Sequence, residues 1–182
     1  MPRLEIVELG DPTLRKVCKK VKDVFDPKIQ KLIQEMFHSL DKARGVGLAA
    51  PQVGQALRIF LVSPEGKHKA PYTKINDTLV VINPSLEYIG KKTSYDWEGC
   101  LSIPGFRGQV KRPDKVRLRY TNFLGEDCVE EYEGFTARII QHEYDHLEGV
   151  LFLDRMESLD SLITDGYFQK LVDAYEAEQN NS

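Results

Sequence analysis

Histidine and cysteine are scarce in this chain, with four of the first and three of the second among 182 residues. Three cysteines, odd in number and far apart, do not make a disulfide framework. No apolar run is long enough to form a transmembrane helix. Residues 1–20 contain no signal-peptide stretch, because Asp11, Arg15, Lys16, Lys19 and Lys20 interrupt them. Charge of one sign is also missing. The formal net charge is -3, which gives no global attraction toward nucleic acid. The glycine-rich segment Gly45–Gly54 has no Lys-Ser or Lys-Thr pair after it, which excludes a phosphate loop. Neither an internal repeat nor a linker is present. What remains is ordinary globular composition, 41% hydrophobic and 29% charged, read as one domain over residues 1–182.

Two of the four histidines fall in one short motif, Gln141-His142-Glu143-Tyr144-Asp145-His146. Residues four apart lie one above the other on a helix, so His142 and His146 can grip one metal ion. Glu143, directly after the first histidine, can act as a base beside it. The helix is supported by apolar spacing at Phe135, Ile139, Ile140 and Leu147. Thr136 is the expected N-cap and Gly149 the expected left-handed stop.

A hydrolytic site needs a third protein ligand and an open position. No histidine follows His146, and Glu148 is too close along the helix to turn back. Glu157 downstream is one candidate. Cys100, in Glu98-Gly99-Cys100-Leu101-Ser102, is another, since a thiolate binds zinc or ferrous iron well. Read alone, a free cysteine is more often a small buried hydrophobe. The segment Gly45-Val46-Gly47-Leu48-Ala49-Ala50-Pro51-Gln52 leaves its backbone open to close approach, and Gln52 offers a neutral amide to a developing oxyanion.

With these three segments in this order, the chain resembles the peptide deformylase family, which carries G-x-G-x-A-A-x-Q, E-G-C-L-S and Q-H-E-x-D-H. Every specified position is matched here. The resemblance implies that Cys100, His142 and His146 hold one divalent metal, Fe2+ in the cell, with Zn2+, Ni2+ or Co2+ accepted. It implies that Glu143 transfers protons and that Gln52 and the Leu101 N–H stabilise the oxyanion. Val46, Gly47 and Gly99 match positions whose backbones pair with substrate. Arg138 and Ile139 are expected at the methionine pocket, the Arg138 stem lining it and its head reaching solvent. Glu98, Gln141 and Asp145 are expected to orient the ligands. The implied partners are N-formylmethionyl nascent peptides, with transient ribosome contact, in the cytoplasm or in an organelle. The acidic end Leu171–Glu178 argues against strong ribosome affinity, since phosphate contacts need cations. With Cys100 on the metal, Cys18 and Cys128 are buried thiols of a reducing compartment.

Two other readings stand beside this one. A metallopeptidase would use His142, His146 and Glu157. A closed structural metal module would take its fourth ligand from Cys18 or Cys128.

The expected fold class is α+β, with mixed or antiparallel sheets packed around the metal-binding helix and helices toward both ends. Asp26 and Pro27 open a helix whose apolar face is Ile29, Leu32, Ile33, Met36, Phe37 and Leu40, with His38 on its surface. Strands are expected at Arg58–Ser63, Leu79–Asn83, Val116–Tyr120, Cys128–Tyr132 and Val150–Leu153, with a turn at Asn122–Gly125. Residues Pro64–Lys74, including His68, read as a loop, and Asp165–Glu178 as a last helix.

Overall fold

The computed structural model describes residues 4–63, 74–75 and 78–180. Helix α1 (Pro27–Ala43) comes first, followed by the strands β1 (Gly47–Ala49), β2 (Ile59–Val62), β3 (Lys74–Ile75) and β4 (Thr78–Tyr88). Next come β5 (Thr93–Cys100), β6 (Ile103–Pro113), β7 (Lys115–Thr121) and β8 (Asp127–Glu133). Helix α2 (Gly134–Leu147), the single turn α3 (Phe152–Arg155), β9 (Ile163–Thr164) and α4 (Asp165–Asn180) complete the chain.

The strands form two antiparallel sheets, giving the expected α+β class. The larger has the order β1-β2-β4-β7-β8 with β3 added on β4; the smaller is β5-β6-β9. Strand β2 is buried throughout and explains how the larger sheet organises the core. Its Phe60 and Val62 face α2, together with Val81, Leu118, Ile139 and Ile140. Its Ile59 and Leu61 face α1, together with Ile33, Met36, Leu40, Val80 and Ile82. Successive strand side chains point to opposite faces, so a strand covered on both sides reads as an unbroken apolar run. A third cluster, Leu14, Ile103, Val110, Leu151 and Phe152, fills the space beneath the smaller sheet.

Helix α1 begins as its sequence dictates. The Asp26 side chain accepts from the Lys28 N–H, Pro27 occupies the first turn, and the helix ends on Arg44 in the left-handed region at φ 52°. His38 is exposed on it.

Three local expectations are corrected. Helix α2 starts ahead of Thr136. Strand β8 pairs as far as Glu133, and Gly134, at φ 61°, turns the chain directly into the helix, so Thr136 lies inside the first turn. Val150–Leu153 is not a strand. The Asp154 carboxylate accepts from the Leu151 N–H at 2.7 Å and closes the turn α3 instead. Cys18 is buried, but Cys128 is only half-buried on β8. Gly149 stops α2 region at φ 71° as expected, where a side chain would meet the Arg15 carbonyl. The loop expected at Pro64–Lys74, with His68, lies outside the described residues except for Lys74, which opens β3.

Candidate metal centre

Helix α2 passes between the two sheets and is buried along nearly its whole inner side. That burial places His142 and His146 against the end of β5, where Cys100 sits. The ligand atoms of Cys100, His142 and His146 all lie within 4.8 Å of one another. Cys100 Sγ is 3.3 Å from His146 Nε2. His142 Nδ1 is 2.9 Å from Glu98 Oε2, which leaves Nε2 as its free donor atom. Burial drives the His146 pKa well below the ordinary value, so its ring stays in the neutral form that binds metals. Burial would lower the His142 pKa, but its hydrogen bonds with Cys100 and Glu98 raise it well above the ordinary value, so an ion would have to displace a proton from that ring. A thiolate with two imidazoles suits a soft or borderline divalent ion such as zinc or ferrous iron. The donor set therefore fits the implied metal.

The other motif residues surround these three candidate ligands. The Ala49 N–H donates to Gln52 Oε1 at 2.7 Å, which fixes the amide flip and turns Nε2 toward Cys100 Sγ at 3.4 Å and Ser102 Oγ at 3.3 Å. The Glu143 carboxyl is buried, and Oε2 has no hydrogen-bond partner among the described residues. Burial pushes its pKa up to about 7. A side chain on Gly47 would run into this carboxyl, so the glycine is required by close approach.

Glu98 is the hub behind the ligands. Arg112 donates to both its oxygens at 2.9 Å, and Arg138 Nη1 donates to Oε1 at 2.9 Å. Burial alone would raise its pKa, but the Arg112 and His142 hydrogen bonds outweigh that and hold the carboxyl far below the usual range. Arg112 continues to Asp145 at 2.6 Å, and Arg155 closes on Asp145 from the other side at 2.6 and 3.0 Å. His142 is thus the inner end of a buried chain of alternating charge. Gln141 faces away from the ligands and donates to the Pro113 and Ala137 carbonyls.

A cleft of about 500 Å³ opens onto this centre. Val46, Gly47, Gln52, Gly99, Cys100, Leu101, Arg138, Ile139, His142 and Glu143 line it, while His146 lies behind, 1% exposed. The expectation for the Arg138 head is corrected. It does not reach solvent, because Glu98 and the Val110 and Ser94 carbonyls draw it inward. Arg112 and Arg155 carried no signal of their own in the sequence, although three buried acids close together require cations.

The two other readings find no support in this arrangement. Glu157 is exposed, hydrogen-bonded to Tyr95 and near Lys111, and is absent from the ligand cluster. Cys18 and Cys128 donate to the carbonyls of Lys16 and Glu126 and are likewise outside it.

A helix carrying two imidazoles and a buried acid, held against a thiolate at the floor of a cleft, defines a metal-dependent hydrolase as the class. The model of the polypeptide deformylase family matches residues 3–161, and the chain belongs to that family. It is 41% identical to a peptide deformylase 2 of a Nostoc species over 169 residues, 93% of this chain and 94% of the relative. The fold matches the crystal structure of a Thermotoga maritima peptide deformylase with TM-score 0.78 and 38% identity, over 87% of this chain and 100% of that one. A class I type b peptide deformylase of Acinetobacter baumannii, with Met-Ala-Ser bound, matches with TM-score 0.76 and 31% identity over 85% and 99% of the chains.

Proposed function

We propose that Cys100, His142 and His146 hold one divalent ion and that Glu143, Gln52 and Leu101 act beside it on a formyl carbonyl. The reaction is hydrolysis of the N-formyl group from the N-terminal methionine of newly synthesised peptides, giving formate and a free amine. The observation that carries the residue assignment is the convergence of one thiolate and two imidazoles within 4.8 Å, beside a buried acid whose pKa lies at about 7.

When bound, the ion supplies Lewis acidity and lowers the pKa of water. Glu143 takes the proton of the attacking water and delivers it to the leaving amine, a task that suits a group titrating near neutrality. Gln52, locked by the Ala49 N–H, presents Nε2 to the oxygen on which charge develops. The Leu101 N–H, in the turn after Cys100, is the second donor. Val46, Gly47 and Gly99 offer backbone to an extended peptide by strand addition, and Ile139 with the carbon stem of Arg138 lines the methionine pocket. Met-Ala-Ser, the ligand of the Acinetobacter relative, is what remains when formyl-Met-Ala-Ser loses formate, which supports this substrate class.

Membership of the family makes Fe2+ the proposed cellular ion, with Zn2+, Ni2+ and Co2+ as alternatives; the thiolate suits soft or borderline ions and does not choose among them. Formylated chains arise on bacterial and organellar ribosomes, so the cytoplasm or an organelle is the proposed site of work, with residues 1–182 acting as one catalytic domain. No helix among the described residues is long and apolar enough to cross a membrane. The acidic α4 offers little to ribosomal phosphate, so ribosome contact is transient.

The test is formate release from formyl-Met-Ala-Ser against its acetyl analogue, with protein loaded anaerobically with Fe2+ or with Ni2+. Release from the formyl peptide alone is expected. Equal hydrolysis of the acetyl peptide, or no formate from either, overturns the assignment.

A further inference from the structure

The cleft does not end at the methionine pocket. Its mouth is flanked by Arg44 and Arg107, with Asp165 the one carboxylate beside them among the described residues that line it; the deeper acids Glu98 and Glu143 belong to the centre. Arg107 lies opposite Gly99 in the β5–β6 register, one residue from Cys100, and a side chain on Gly99 would meet its Cγ and Nη1 at 3.5 Å. Two residues of α4 hold it there. Asp165 accepts from Arg107 Nε at 2.8 Å, and the Phe168 ring lies under the guanidinium at 4.6 Å. Both Nη atoms are left without an acceptor among the described residues. Arg44 caps α1 in the left-handed region, is exposed, and makes no ion pair with a described residue. Two guanidiniums against one carboxylate leave the mouth with a net charge of +1.

We propose that this mouth is a cation-lined subsite that selects formyl-methionyl peptides bearing an acidic side chain at the second or third residue. The inference rests on the deformylase reading. A formylated terminus is uncharged, so charge discrimination must come from downstream side chains. An extended peptide advances about 3.3 Å per residue, which carries the residues after methionine outward along the cleft. A guanidinium fork already immobilised by a carboxylate and an aromatic ring binds a second carboxylate with little further loss of side-chain freedom. Helix α4 is then part of the specificity apparatus, acting through Arg107 rather than on the peptide itself.

The test compares kcat/KM for C-terminally amidated formyl-Met-X-Ser and formyl-Met-Ala-X, with X as Glu, Gln or Lys. Amidation removes the terminal carboxylate, so the side chain is the only anion. The order Glu above Gln above Lys is expected at one position or both, with a Glu/Gln ratio of about three- to tenfold, as one or two half-exposed charge pairs give. The ratio should fall as ionic strength rises past the point where the screening length is about 10 Å. Arg44→Asn, which keeps a residue tolerant of the left-handed region, and Arg107→Gln should each bring the ratio toward one. Asp165→Asn, which frees Arg107 of its counter-charge, should raise it. A Glu/Gln ratio of one in the parent protein, with all peptides turned over, overturns the subsite and leaves the deformylase reading intact. No turnover of any formyl peptide overturns both.

Discussion

Glu98→Gln is the sharpest test of the buried charge chain. The substitution keeps the shape of the side chain and removes one negative charge. Three groups lose by it: Arg112 loses a two-point carboxylate, Arg138 loses its only buried acid, and His142 Nδ1 faces an amide. Glu98 and Arg112 side chains are each 4% exposed, so water cannot replace what is lost. Removing one partner of a buried pair costs roughly 3–5 kcal/mol. In a domain of this size each kcal/mol moves the midpoint by about 2–4 °C, so Tm of the metal-free protein should fall by roughly 6–20 °C. The pH dependence has a fixed sign. The folded-state pKa of Glu98 is depressed, so its stabilisation is complete above the unfolded-state value of about 4.3 and is lost as pH falls toward the folded-state value. The gap in Tm between parent and variant should therefore be constant near neutrality and narrow below about pH 4. Metal affinity should drop by about 10- to 100-fold, because the histidine loses its orienting partner. Thermal melts with chelator across pH 3–7, and competition titrations with a metal indicator, read both quantities. A variant that melts within about 2 °C of the parent near neutrality would refute the claim that Glu98 holds this network together.

Two further substitutions separate metal from chemistry. Cys100→Ser replaces a thiolate with a mostly protonated hydroxyl, so bound metal after dialysis should fall sharply; full occupancy would remove Cys100 from the ligand set. Glu143→Gln should retain metal and bind substrate while kcat falls by about a hundredfold or more, the size of a general acid–base contribution; near-normal turnover in metal-replete variant would show that another group moves the proton.

The elements legible in the sequence are those whose signal is local. Helix α1 announces itself through Asp26, Pro27 and six apolar residues at helical spacing. Strands β2 and β4 show as apolar runs, and the His142–His146 spacing by itself marks one wall of the candidate centre. The β5–β6 hairpin was not legible, although it carries Cys100. Strand β5 is exposed from Thr93 to Asp96 and carries Gly99 just before its end at Cys100, so it has neither an apolar run nor strict alternation. Pairing with β6, not propensity, makes it a strand. The buried roles of Arg112, Arg138 and Arg155 were hidden for a related reason. Their partners lie 10 to 40 residues away in the chain, and a lone arginine looks the same whether it faces water or a buried acid. Val150–Leu153 failed differently: an apolar run of that length fits a strand or a helical turn equally, and the Asp154 side chain decided between them.

The two histidines and the cysteine belong to different parts of the molecule. Cys100 ends a strand of the smaller sheet, whereas His146 lies 46 residues later on the helix that packs against the larger one. An ion held by both, as proposed, would be a clasp across the seam between the two sheets. Clasping favours the closed molecule over any state in which the hairpin has swung away from the helix, by about 4 kcal/mol when free ion exceeds its dissociation constant a thousandfold. Chelators should accordingly act on this protein as mild denaturants as well as inhibitors, and the seam should be the first place to exchange its amide hydrogens when the ion is withdrawn.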